Sequence, residues 1–169
     1  HGSFMDDETM DLLLKRDVPV VPALYFERAC IIHGSEFGLS QQVIDGHQET
    51  LDAGTASAQR IIREGGRLGM GGDYGFAWNP HGDYAKELTF FVDHVGLSVE
   101  QTLVCATRTG AEIIGVEDSL GTLEVGKTAD ILVVNGDVLN DISLIEDKKN
   151  LLAVIQNGII KAGTLNNSN

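Results

Sequence analysis

The residues best suited to chemistry converge on one run, Arg67-Leu-Gly-Met-Gly-Gly-Asp73-Tyr-Gly75, an apolar, glycine-rich stretch that stops at a single carboxylate. Leu68 and Met70 are spaced to pack inward, while Gly69, Gly71 and Gly72 let other backbone or a ligand approach closely. A strand ending at Asp73 would place its carboxylate where parallel α/β folds bind ligands, at a strand's carboxyl end, suited to metal or proton work. Asp followed by Tyr-Gly is also ordinary turn chemistry, so an Asx turn is the competing reading. Tyr25 closes an earlier apolar run, and Trp78 and His81 lie in the loop after Asp73. All three are candidates for lining a substrate pocket. The competing reading is packing for the two aromatics and a turn position after Asn-Pro for His81. His33 in a loop, His47 on a helix face and His94 near a helix C-terminus have plain structural readings and are not assigned to metal.

These residues need elements to position them. Asp6 is an N-cap candidate, with Asp7 and Glu8 in the first turn, Met10, Leu13 and Leu14 as an apolar stripe, and Lys15 and Arg16 closing a first helix. The run Val18-Pro-Val-Val-Pro-Ala-Leu-Tyr-Phe26 reads as a buried parallel strand, shortened by Pro19 and Pro22. Residues Glu27 to Leu39 lack a period and read as a long loop. Ser40 opens a long helix to Glu64, with Gly46 and Gly54 as possible bends. The Asp73 strand follows, then two helices: one ended by Gly96, the next opened by a capping-box pattern at Ser98 and Gln101. From Leu120 short apolar runs alternate with turns, and Asn157-Gly158 is the strongest hairpin signal. A domain boundary is expected near residue 117, giving units 1–117 and 118–169, with a polar, frayed tail from Thr164.

Composition narrows the partners. The 169 residues carry a formal charge of −13, which argues against a nucleic-acid partner. No run of 18 apolar residues marks a membrane span. Cys30 and Cys105 are isolated, without a C-x-x-C pair, and read as reduced thiols of a reducing compartment such as the cytoplasm. No signal peptide is legible, and His1 need not be the start of the protein.

Three segments carry a resemblance. His1-Gly-Ser-Phe-Met-Asp-Asp-Glu resembles the sixth strand end of the metal-dependent amidohydrolases, and Gly71-Gly-Asp-Tyr-Gly75 resembles their eighth. Gly121-Thr-Leu-Glu-Val-Gly-Lys-Thr-Ala-Asp-Ile-Leu-Val-Val134 is similar to the segment that returns the chain to their small β domain. The likeness is strongest to the imidazolonepropionase-like and prolidase-like branch. A His-Gly-Ser start can also be the scar of an affinity tag, but the match continues through Phe4-Met-Asp-Asp.

The resemblance implies an α/β fold: the C-terminal part of a (β/α)8 TIM barrel, about its last three units, followed by strands of a small β-sandwich. It implies a hydrolase of amide or peptide C–N bonds, dipeptidase-like or imidazolonepropionase-like, acting on a small-molecule or peptide substrate. The implied cofactor is a divalent metal, zinc by preference, two per complete site, with His1 matching one ligand and Asp73 another. Asp73 would also be catalytic, passing a proton from the attacking water to the leaving amine. The family's remaining ligands come from strands upstream of His1. The isolated chain is therefore expected to be inactive and to associate with the missing N-terminal barrel segment or with another copy. A single-metal deaminase of the same superfamily, and a non-enzymatic fragment or assembly module, stand as alternatives.

Overall fold

The computed structural model describes residues 1–167. Helix α1 (Asp7–Lys15) forms as the charge pattern predicts: Asp6 sits in extended backbone and its carboxylate accepts the Thr9 N–H at 2.8 Å. Met10 is its buried residue.

The next segment departs from the expected strand and long loop. Only Val20 pairs, in a parallel bridge with Leu68, and the chain turns into helix α2 (Leu24–His33), followed by a 3-10 turn over Gly34–Phe37. Pro19 and Pro22 have no N–H to extend a ladder, and Ala23 adopts a left-handed conformation at φ 54° that ends the extended run. Ala23 makes no side-chain cap; instead the distant Glu87 carboxylate accepts the Leu24 N–H at 3.0 Å and the Tyr25 N–H at 2.8 Å. Buried Leu24, Glu27, Ala29 and Cys30 and half-buried Tyr25, Phe26 and Ile31 surround much of α2, which is why no amphipathic period showed in its sequence.

Helix α3 (Gln41–Arg63) is continuous, with Ser40 accepting the Val43 N–H. It runs unbroken through Gly46 and Gly54, and Gly54 serves packing instead: a Cβ there would lie 2.9 Å from Leu24 Cδ2. Where a longer strand was expected before Asp73, the pairing is one bridge, with Val20 donating to the Arg67 carbonyl at 3.0 Å and Gly69 to the Val20 carbonyl at 2.9 Å. Side chains occupy the space those glycines leave: Ile113 Cδ1 would be 2.3 Å from a Cβ on Gly69, and Val21 Cγ1 2.9 Å from one on Gly71. Buried Leu68 joins Met10, Leu24, Leu51, Ile61 and Phe91 in one core.

Helix α4 (Ala85–Phe90) continues through a π turn, Phe91–Val95, and ends at Gly96, φ 85°. The Ser98–Gln101 capping box is present in both directions and opens α5 (Val99–Val104). A second π turn, Cys105–Thr109, joins it to α6 (Gly110–Ile114).

The β layer is a three-stranded antiparallel sheet in the order β1 (Ile131–Val134), β2 (Leu151–Gln156), β3 (Ile159–Ala162). Its hairpin turns on Asn157 and Gly158, both at positive φ, as that dipeptide predicts. Asp130 is structural: its carboxylate accepts the Asn157 N–H at 2.7 Å and ties the turn to the start of β1. The apolar run Leu120–Gly126 is not a strand; it folds as turns, with Leu123 and Val125 exposed and Gly121 and Gly126 at positive φ. Thr164–Asn167 forms a 3-10 turn where fraying was expected, and the rest of that tail lies outside the described residues.

Candidate active site

Asp73 leaves the core just after the Val20–Leu68 bridge, between glycines that let the backbone turn sharply. His1 reaches it from the opposite end of the sequence. The Ser57 hydroxyl on α3 donates to the Ser3 carbonyl at 2.9 Å, and Gly2 packs against Met5 and Val20, so the N-terminal segment is pinned between α3 and the bridge. The result places His1 Nε2 3.9 Å from Asp73 Oδ2, with side chains 58% and 46% exposed. That separation is too long for a hydrogen bond, so the two groups face each other without bonding, open to a ligand from solvent.

The donor chemistry suits zinc: a neutral imidazole nitrogen and a carboxylate oxygen. Two donors on one tetrahedral zinc stand ~3.4 Å apart, by the usual metal–ligand bond lengths. At 3.9 Å the two donors lie near that spacing, and His1 and Asp73 are the residues that would hold a divalent ion here. Among the described residues no group of three His, Cys, Asp or Glu side chains could hold a metal ion. His1 and Asp73 stand as a facing pair of donors.

The three pocket candidates occupy different surroundings. His81 lies over the Asp73 loop, its Nε2 3.1 Å from where a Cβ on Gly75 would be and its Nδ1 3.2 Å from the Tyr84 hydroxyl. Tyr25 is half-buried at the start of α2, held by Glu87 through its N–H and covered by Lys86 Nζ, 5.6 Å from the ring centre. Trp78 stacks on Phe76 at 5.2 Å and packs beside Phe37, and Phe26 joins Phe76 from α2. His47, read as structural, bonds Glu27 at 2.6 Å and meets Phe26 edge-on.

Two site-supporting residues had no signal of their own in the sequence. Asn79 is buried, and its amide nitrogen donates to the Asp73 carbonyl at 2.9 Å; only the Asn-Pro turn signature hinted at it. Glu87 is a helix residue by pattern, yet burial pushes its carboxyl up to about 7 against the two backbone N–H groups that favour the charged form. Burial also raises the neighbouring Tyr74 hydroxyl.

Known proteins bear on this arrangement. The profile of the amidohydrolase family matches residues 1–160. An imidazolonepropionase of Symbiobacterium thermophilum is 35% identical over 89 residues, covering 50% of this chain and 20% of that protein. A 5-methylthioadenosine/S-adenosylhomocysteine deaminase of Thermodesulfovibrio yellowstonii is 27% identical over 143 residues, covering 80% of this chain and 28% of that protein. Among solved structures, a prolidase complexed with N-methylphosphonate-L-proline superposes with a TM-score of 0.84 at 27% identity, over 95% of this chain and 38% of the prolidase. The chain therefore spans well under half the length of these relatives. Matched along nearly all of its length by the family profile and by a solved relative, this chain belongs to the amidohydrolase family.

Proposed function

We propose that the protein carrying this chain is a metal-dependent hydrolase of C–N bonds in small amides or dipeptides, prolidase-like or imidazolonepropionase-like. The observation that carries the reading is His1 Nε2 facing Asp73 Oδ2 at 3.9 Å across 72 positions of sequence. The similarity to a prolidase with a proline analogue bound favours a dipeptide substrate. His1 and Asp73 would hold the metal, zinc by preference and two ions in the complete site. When bound, the metal supplies Lewis acidity and a water of near-neutral pKa. Asp73 accepts the water's proton at its carboxylate and returns it to the leaving amine, while Tyr25, Trp78 and His81 line the substrate side. Two ligands do not complete a four-coordinate site, so the 169-residue chain alone is proposed to be inactive, and to need the remaining barrel strands or a second copy. We propose residues 1–117 as the barrel portion and 118–169 as the small β domain. The free, buried Cys30 and Cys105 support a reducing compartment such as the cytoplasm.

The deaminase relative, matched over 80% of this chain, supports a second reading, hydrolytic deamination at a single metal. The test assays the complete zinc-loaded protein against Xaa-Pro dipeptides, imidazolone propionate and adenosine derivatives, with Asp73→Asn and His1→Ala beside it. Dipeptide or imidazolone turnover lost in both variants supports the first reading. Ammonia release from adenosine derivatives alone would replace it with the second, and no turnover of any substrate by metal-loaded protein would leave a non-enzymatic module.

A further inference from the structure

We infer that Asn79 is a positioning residue that sets where Asp73 stands, an inference that rests on the metal-hydrolase reading of Asp73. Asp73 is flanked by Gly71, Gly72 and Gly75, so its backbone has unusual freedom unless something restrains it. Among the described residues no protein side chain hydrogen-bonds its carboxylate; only His1 faces it. The restraint comes through the backbone: beside the Tyr74 N–H, which donates to the Gly72 carbonyl at 3.1 Å, the contacts that close the loop pass through Asn79. The Asn79 amide nitrogen donates to the Asp73 carbonyl at 2.9 Å. The Asn79 N–H donates to the Phe76 carbonyl at 3.1 Å, and the Gly75 N–H donates to the Asn79 carbonyl at 3.0 Å. Because a carbonyl can only accept, the Asp73 contact fixes which way round the amide sits.

That orientation has a cost which points to its purpose. Asn79 is 1% exposed, and its amide oxygen is buried with no protein partner. Buried polar atoms are nearly always paired, and an exception calls for a local reason. Here the fold leaves an acceptor unpaired while it spends the amide nitrogen on the backbone of the one carboxylate assigned to metal. A plain turn residue could close the loop with its backbone alone. Groups that orient a metal ligand typically govern affinity about 10–100-fold when removed.

The test uses the complete protein that carries this chain and measures zinc affinity by competition with a chromophoric chelator. The cobalt(II) absorption spectrum reports ligand geometry. Trp78, the chain's only tryptophan and the neighbour of Asn79, reports the loop by its emission. Asn79→Ala is expected to weaken zinc binding roughly 10–100-fold and alter the cobalt bands. Asn79→Ser, which keeps a donor, recovers part of the affinity. If both variants melt earlier but bind zinc like the parent with an unchanged cobalt spectrum, Asn79 is only a turn former and the inference is overturned. Asp73→Asn separates the two claims: if it leaves zinc affinity unchanged, the metal assignment fails and takes this inference with it. If it weakens binding while Asn79→Ala does not, only the Asn79 role fails. Should Asn79→Ala not fold, the parent protein with 15N-labelled asparagine decides. The Asn79 side-chain amide resonance must shift on zinc addition, and a fixed resonance overturns the inference.

Discussion

Glu87, on α4, caps a helix 62 residues earlier in the chain: its carboxylate accepts the Tyr25 N–H at 2.8 Å and, with its other oxygen, the Leu24 N–H at 3.0 Å. The pair joins the helix after Asp73 to the helix that follows the Val20 bridge, and it places a buried acid at the positive end of a helix dipole.

The pH response of stability follows from that burial. The folded-state pKa of Glu87, about 7, lies above its ordinary value of 4.5, so the native state holds the proton more tightly than the unfolded chain. The contribution is therefore complete below pH 4.5 and is lost as pH rises towards 7, on the order of 3 kcal/mol at about 1.4 kcal/mol per unit. Melting curves of the parent and of Glu87→Gln across pH 4–8 should differ in slope, the variant lacking this component. Parallel curves would refute the assignment. Above pH 7 the variant, neutral like the protonated acid, should escape this loss.

Gly121 and Gly126 share positive φ but not surroundings, which allows clash to be separated from backbone strain. A Cβ on Gly121 would lie 2.6 Å from Ala111 Cβ and 3.0 Å from the Thr107 carbonyl, whereas nothing stands within 4 Å of one on Gly126. Gly126→Ala should cost about 1–2 kcal/mol, the penalty for a left-handed non-glycine residue. Gly121→Ala should cost a further ~1–3 kcal/mol for overpacking. Denaturant midpoints compare the two directly, and equal losses would mean that α6 yields freely.

Cys30 and Cys105 should resist alkylation. Both are buried, and burial raises each thiol to about 11, so the thiolate is scarce at neutral pH. A disulfide reagent at pH 8 should label them only as fast as the native state opens, and both at once in denaturant. Rapid labelling of the native protein at either position would contradict this burial.

Metal removal tests the pairing of His1 with Asp73. Stripping the complete protein with a chelator should abolish turnover, and zinc should restore it. Asp73→Asn should lower retained metal while shifting the melting point by less than a core substitution such as Leu68→Ala, which costs about 2–5 kcal/mol. The contrast arises because Asp73 is half-exposed, whereas Leu68 is 1% exposed in the core. Equal metal content in Asp73→Asn and parent, measured by elemental analysis, would remove Asp73 from the ligand set.

Where the chain signals its structure locally, the sequence by itself was enough. Asp6 and Ser40 cap their helices, Ser98 and Gln101 form their box, and Asn157-Gly158 turns its hairpin, because each signal acts within a few residues. The facing of His1 and Asp73 was legible only through family likeness, since no local rule links positions 72 apart. Tertiary structure decided the rest. The apolar run before Tyr25 became a single bridged residue and a helix because a distant carboxylate caps that helix, and propensity cannot see such a partner. Leu120–Gly126 became turns despite its apolar residues, with Gly121 packed closely against α6. Asn79 acquired its place beside Asp73 only once the loop closed, because what an amide side chain does is set by whichever backbone group the fold brings within reach.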